Sequence, residues 1–190
     1  MDHSLYHLVR YKFAQRLSRP TDHVLDLGCG TGYGTRFLAG HVKSATGIDP
    51  DVSSIEIAKA NYERRNLRYY PGTSFEYRVD DPRKKPTLIT CFEMIEHVER
   101  REAYRILHDA IFRIGSERSV TILSTPRFLP FEERSVGRQE HHVHEFTHAD
   151  FTDFMYSLFP RPLIFTQTDE IISAGNPSTC WTYIGVGVIS

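Results

Sequence analysis

Residues 24–35 read Val24-Leu25-Asp26-Leu27-Gly28-Cys29-Gly30-Thr31-Gly32-Tyr33-Gly34-Thr35. An apolar run that ends in an acid and breaks into glycines is a strand feeding a tight loop that opens a helix. Gly28, Gly30 and Gly32 clear side chains from a turn where the backbone bends sharply and a ligand must come close. The free amides at the start of the following helix suit an anionic group. Downstream, Gly47-Ile48-Asp49-Pro50 sets an acid at the end of a second apolar stretch, where a carboxylate can accept hydrogen bonds from both hydroxyls of a ribose. Together the two features predict a nucleoside-type cofactor site at strand ends.

Working outward, strands alternate with helices. Leu5, Leu8, Val9, Phe13 and Leu17 fall at helical spacing before Pro20. Strands are predicted at 24–27, 45–48, 67–70, 87–92 and 120–123, with helices at 32–39, 51–62 and 100–113. Ser53 or Ser54 is the expected cap of the helix at 51–62. Residues 75–85 read as a loop or short helix. Residues 128–145 are rich in charge and histidine and have no period, and loops of that length often carry function. A helix at 148–158 and strands at 163–168 and 181–189 close the chain. This order predicts an α/β fold, a doubly wound, mostly parallel sheet with helices on both faces. The last two strands have no helix between them and are expected to pair at an edge.

A chain of 190 residues is expected to form a single domain with a sizeable core. Its 40% hydrophobic and 25% charged content is that of a soluble globule, and a net charge of −1 argues against a wide nucleic-acid surface. Cys29, Cys91 and Cys180 lack C-x-x-C spacing and leave one unpaired in any disulfide scheme, so a reduced, cytoplasmic protein is expected. No apolar run is long enough to span a bilayer and no secretory pattern opens the chain, so no membrane partner is expected.

The glycines run G-x-G-x-G-x-G rather than the G-x-G-x-x-G of dinucleotide sites. The segment Asp26-Leu27-Gly28-Cys29-Gly30-Thr31-Gly32-Tyr33-Gly34 resembles the first motif of class I S-adenosylmethionine (SAM) methyltransferases. Residues 89–98 (I-T-C-F-E-M-I-E-H-V) resemble the fourth-strand signature of one large branch of that class. Ser124-Thr125-Pro126 resembles the end of its fifth strand, and His144-Glu145-Phe146-Thr147 with Asp150-Phe151 the segment before a late helix. The resemblance spans most of residues 5–160. It implies a Rossmann-like, seven-stranded sheet with an antiparallel last strand, in one SAM-dependent methyltransferase domain over residues 1–190. Residues 1–20 would form a lid helix carrying Tyr11. Gly28, Cys29, Gly30 and Gly32 would floor the methionine part of SAM, and Asp26 would orient the loop by accepting its amides or reach the amino group through water. Asp49 and Pro50 would meet the ribose, Thr73 would stand near the adenine where relatives often carry an acid, and Cys91 and Phe92 would approach the sulfonium.

Methyl transfer from a sulfonium is an in-line displacement in which the cofactor brings the electrophile and the protein the positioning. An oxygen or nitrogen acceptor often also needs a base for its proton. Glu93, Glu96 and His97 follow the fourth strand, and a helix starting there places positions i, i+3 and i+4 on one face. These are the expected catalytic groups, with residues 127–147 as the acceptor-side loop and His144 reaching in. The expected acceptor is a small molecule or a sugar-like compound.

Two other readings stand beside this one. Glu-x-x-Glu-His with a downstream histidine also resembles the small-RNA 3′-terminal ribose 2′-O-methyltransferases. That resemblance implies a divalent metal at Glu93, Glu96, His97 and His144, with RNA as the acceptor. Histidine-rich loops are often only solvated, and no metal is expected. The other reading is a SAM-binding module without turnover. The basic runs at 64–68, 83–85 and 100–101 are read as solvated loops and helix ends.

Overall fold

The chain runs α1 (His3–Leu17), β1 (His23–Leu27), α2 (Tyr33–Leu38), β2 (Ser44–Asp49), α3 (Val52–Asn61), β3 (Leu67–Pro71), β4 (Leu88–Phe92), α4 (Arg100–Asp109), β5 (Val120–Pro126), α5 (Val136–His141), α6 (His148–Leu158), β6 (Leu163–Thr168), β7 (Ile171–Ser173) and β8 (Thr182–Val188). This computed structural model describes residues 3–133, 135–175, 177 and 179–189. Residues 1 and 2 of the expected lid, the side chain of Leu5 and residue 134 of the expected acceptor-side loop lie outside the described residues.

Among the described residues, one sheet holds eight strands in the order β3-β2-β1-β4-β5-β8-β6-β7. The first five run parallel. Strand β8 is antiparallel to β5, β6 to β8, and β7 to β6. This is the expected Rossmann-like sheet with one strand more than the seven predicted. The addition is β7, three residues long with Ile171 exposed, too short to print an alternating pattern on the sequence. Chain order reverses between β1 and β4, whose carboxyl ends lie side by side at Leu27 and Cys91. Ligands bind in the crevice that such a reversal opens.

Alternation along β1 divides the core between the two faces of the sheet. Leu25 and Leu27 join Leu107, Ile111, Phe151 and Met155 from α4, the turn after it, and α6. Val24 joins Tyr11, Ala14, Leu38, Ile55 and Ala58 from α1, α2 and α3. No helix among the described residues is long and apolar enough to cross a membrane.

Several local expectations are corrected. Asp51, not Ser53 or Ser54, caps α3, accepting from both serine amides and both serine hydroxyls. The helix expected over 100–113 ends as α-helix at Asp109 and continues as one π-helical turn, Ala110–Ile114, closed by Gly115 N–H donating to Ala110 O at 2.9 Å. The aperiodic stretch 128–145 holds a 3-10 turn at Phe131–Glu133 and the six-residue α5, both too short to show a period. The buried face of α1 is Arg10, Tyr11 and Ala14; Leu8, Val9 and Phe13 are only half-buried and Leu17 is exposed.

Candidate active site

The glycine loop is tied down by β2. Gly28 and Cys29 N–H both donate to Ile48 O, at 2.9 and 3.1 Å. Gly28 stands at φ +68°, and a Cβ there would come within 2.7 Å of Met94 Cγ, so both its backbone and its surroundings demand glycine. Asp49 completes the loop. Its Oδ2 accepts Gly30 N–H at 2.8 Å and its Oδ1 accepts Asp51 N–H at 2.9 Å. The loop amides therefore go to Ile48 and Asp49, not to Asp26. Asp26 is fully buried and takes hydroxyls instead: Thr35 at 2.6 Å, Thr90 at 2.7 Å and Tyr11 at 3.3 Å.

Burial pushes the Asp26 carboxyl up to about 6, although the three hydroxyls that donate to it act in the other direction. The native state holds this proton more tightly than the unfolded chain. The contribution to stability is therefore complete below pH ~4 and is lost as the pH rises through about 6, a change of roughly 3 kcal/mol. Asp26→Asn cannot ionise. Urea unfolding from pH 4 to pH 7 is expected to show the variant gaining on the wild type by up to roughly that amount. Parallel curves for the two proteins would contradict the assignment.

Two cavities meet at the loop and share Gly28, Gly30 and Glu93. The larger, about 460 Å³, is lined among others by Asp49, Pro50, Gly72, Thr73, Met94 and Ile106, with His97 at its wall. The smaller, about 260 Å³, is lined by Arg10, Tyr11, Cys29, Tyr33 and Phe92 among others. Most residues expected to bind the cofactor thus converge on one bent cleft. Cys91 lines neither cavity and is packed in the core. Gly32 faces away, with Ala58 and Tyr69 within 2.7 Å of where its Cβ would stand. Tyr11 is not a loose lid residue. Its ring fills the space beside Gly34, where a Cβ would sit 1.9 Å from Tyr11 Cζ, and it packs edge-on against Phe92.

Sequence reasoning missed Arg10. It is fully buried, and its guanidinium donates to Gln167 Oε1 at 2.9 Å and Thr182 Oγ1 at 3.3 Å, with Glu93 Oε1 at 3.5 Å. Nothing beside it in the sequence sets it apart from Lys12 and Arg16, the exposed cations of the same helix.

Glu93, Glu96 and His97 do not share one helical face as expected. Glu93 takes a left-handed φ of +52°, Ile95–His97 form a 3-10 turn, and α4 begins only at Arg100. Glu93 Oε1 accepts from Ser124 Oγ at 3.0 Å. Glu96 is buried, with Oε2 accepting from Thr125 Oγ1 at 3.1 Å. Burial first, and the nearby Glu93 charge second, hold its carboxyl well above the usual carboxylate range. The 127–147 loop is strapped to this turn, because Val143 and His144 N–H donate to Glu96 O at 2.9 and 3.1 Å.

The same strap brings His142, rather than His144, to Glu96 and His97. Among the described residues, ligand atoms of Glu96, His97 and His142 lie within 4.8 Å of one another, a group that includes neither Glu93 nor His144. His97 Nδ1 donates to His141 O and His142 Nδ1 to Glu145 Oε1, at 2.9 and 2.8 Å. Donation from Nδ1 makes Nε2 the lone-pair nitrogen of a neutral ring, the arrangement that outer carboxylates and carbonyls impose on metal-binding histidines. One carboxylate and two imidazoles fit manganese, iron or zinc. His144 packs edge-on against Phe146.

A family model described as "Methyltransferase domain" matches residues 1–158. A ubiquinone biosynthesis O-methyltransferase of Coxiella burnetii (strain Dugway 5J108-111) is 37% identical over 92 residues, 47% of this chain and 39% of that protein. A Mycolicibacterium smegmatis protein bearing the name "Probable S-adenosylmethionine-dependent methyltransferase" is 26% identical over 133 residues, 70% of this chain and 49% of its own length. The chain thus spans less than half the length of these curated relatives. The crystal structure of the small RNA methyltransferase HEN1 superposes with a TM-score of 0.72 at 21% identity, over 94% of this chain and 25% of that one, a likeness of fold. With most of its length inside that family model, the chain belongs to the methyltransferase domain family.

Proposed function

We propose that this protein transfers the methyl group of SAM to an oxygen of a small, hydroxylated acceptor. Adenosine would occupy the 460 Å³ cavity with its ribose on Asp49, and the methionine part would turn into the 260 Å³ cavity, its carboxylate towards Arg10. The single observation that carries this reading is Glu93, shared by both cavities beside bare Gly28, because the sulfonium at the bend then faces the Glu93–His97 turn. The acceptor oxygen attacks the methyl carbon as the carbon–sulfur bond breaks, its proton passes to the Glu93–His97 groups, and S-adenosylhomocysteine (SAH) leaves. The likeness to ubiquinone biosynthesis O-methyltransferases supports oxygen over nitrogen.

The assay is release of SAH over a panel of phenols, catechols, sugars and an RNA oligonucleotide with a free 3′ end. Turnover with a small hydroxylated compound is the expected result. Tight SAM binding with no turnover on any acceptor would favour the non-catalytic module, and turnover on the oligonucleotide alone would replace the small molecule by RNA.

The Glu96–His97–His142 group supports a second element of this reading, a divalent cation that draws two neighbouring acceptor hydroxyls to the turn. When bound, such an ion would polarise the hydroxyls and ease loss of their protons. Chelation is then expected to lower turnover about tenfold, with manganese or zinc restoring it, and His142→Ala to make the enzyme indifferent to added metal. Turnover unchanged by chelator would remove the metal and leave the transfer reaction in place.

A further inference from the structure

The wall of the larger cavity formed by Gly72, Thr73 and Ser74 belongs to a segment with little structure of its own. β3 ends at Pro71, and residues 72–81 form turns and coil. The segment is anchored at one end, where Gly72 N–H donates to Asp49 O at 2.9 Å, and folds on itself where Thr73 N–H donates to Glu76 Oε2 at 2.7 Å. Beyond that, among the described residues, its carbonyls are gripped from outside the segment by one side chain. Arg113 Nη2 donates to Ser74 O at 2.5 Å and Nη1 to Tyr77 O at 3.2 Å. The guanidinium is aimed by Asp109, which accepts from Nε at 2.6 Å and from Nη2 at 2.7 Å.

The π-helical turn makes this grip compatible with the core. Ala110, Ile111 and Ile114 stay buried while Asp109 and Arg113 both face the 74–77 segment. Such turns insert an extra residue into a helix and recur at functional sites. The α-helical part of the same rod supplies Ile106 to the cavity wall. One rod therefore carries both a wall of the cavity and the clamp on the neighbouring wall. Arg105, on α4 itself, lies over the Phe75 ring of the same segment at 5.3 Å.

We infer that Arg113, aimed by Asp109, is a positioning residue for cofactor recognition: it sets the width of the slot between Thr73 and Ile106 that receives the adenine. This rests on the placement of adenosine proposed above. Arg113 touches no substrate and acts only through the segment it holds. Its guanidinium joins two carbonyls and a carboxylate at once, which the single ammonium of a lysine cannot reproduce.

Calorimetry with SAH and with methylthioadenosine, which keeps the adenosine and lacks the amino acid, tests this on the full chain. Arg113→Ala is expected to weaken both ligands by about tenfold and to equal degrees, with Arg113→Lys recovering only part. Asp109→Asn should move both ligands in the same direction. The melting temperature of the ligand-free protein is expected to change little, because the Arg113 side chain is 39% exposed. In a turnover assay the KM for SAM should rise with kcat retained. A lowered melting temperature with both dissociation constants within twofold would mark a merely structural role and overturn the inference, as would a loss confined to SAH. Asp49→Ala separates the two failures. If it weakens binding while Arg113→Ala does not, the clamp is wrong and the adenosine placement survives. If neither variant weakens binding, the placement itself fails and the clamp fails with it.

Discussion

Asp49→Ala is expected to weaken SAH binding about 100-fold. The carboxylate already spends one lone pair per oxygen on backbone, Oδ2 on Gly30 and Oδ1 on Asp51. A carboxylate oxygen has capacity for a second donor, so both ribose hydroxyls can be accommodated without releasing the loop. Bonds to a charged acceptor contribute roughly 1.5 kcal/mol or more each, and two of them amount to about 3 kcal/mol, a factor of about 100 in the dissociation constant. The loop also loses its acceptor at Gly30, which lies at φ +51° where the two cavities meet. Asp49→Asn keeps a single carbonyl oxygen and should fall between the two. Calorimetry with SAH reads the effect directly, and a dissociation constant within threefold of wild type would take the ribose away from Asp49. The ligand-free variant should remain folded, since its helix is capped independently by Asp51.

Arg10→Ala is expected to lower the melting temperature of the ligand-free protein by about 10 °C. Arg10 reaches from α1 to β6 through Gln167, to β8 through Thr182 and to the end of β4 through Glu93. Removing one partner of a buried, hydrogen-bonded charge typically costs about 3–5 kcal/mol, because the groups it leaves behind have lost water as well. In a domain of this size each kcal/mol corresponds to roughly 2–4 °C. The Glu93 carboxylate is partly open to solvent, which keeps the expected value at the lower end of that range. Tyr6 also stacks under the guanidinium, 4.8 Å from ring centroid to charge, and its hydroxyl shares a hydrogen bond with Thr182 Oγ1 at 2.7 Å. The variant should therefore loosen α1 as a unit and expose it to proteolysis. A melting temperature within 2 °C of wild type, with α1 still protected, would show that Arg10 is not its latch.

Much of this was legible in the sequence, and the reason is local physics. The strand, the glycine loop and the acid at Asp49 are each written in a few adjacent residues, because a tight turn and a close ligand leave almost no choice of side chain. What the sequence hid was set by contacts between distant segments. Arg10 looks like a solvent-facing charge until Gln167 and Thr182 are brought to it. His142 takes the place expected of His144 because the strap hangs from Glu96 O, and nothing near residue 142 records that attachment. Glu93 in a left-handed conformation breaks the helix expected after β4, although no glycine or proline marks the spot. The Arg113 clamp depends on a π-helical turn, which has no pattern distinct from an ordinary helix over so few residues.

The most direct measurement is a crystal structure of the protein grown with SAH. The adenosine is expected between Thr73 and Ile106 with both ribose hydroxyls on Asp49, the homocysteine carboxylate turned towards Arg10, and the sulfur over Gly28 facing the Glu93–His97 turn. Density for the ligand outside the two cavities, or a ribose held by any group other than Asp49, would contradict the proposed site at its root.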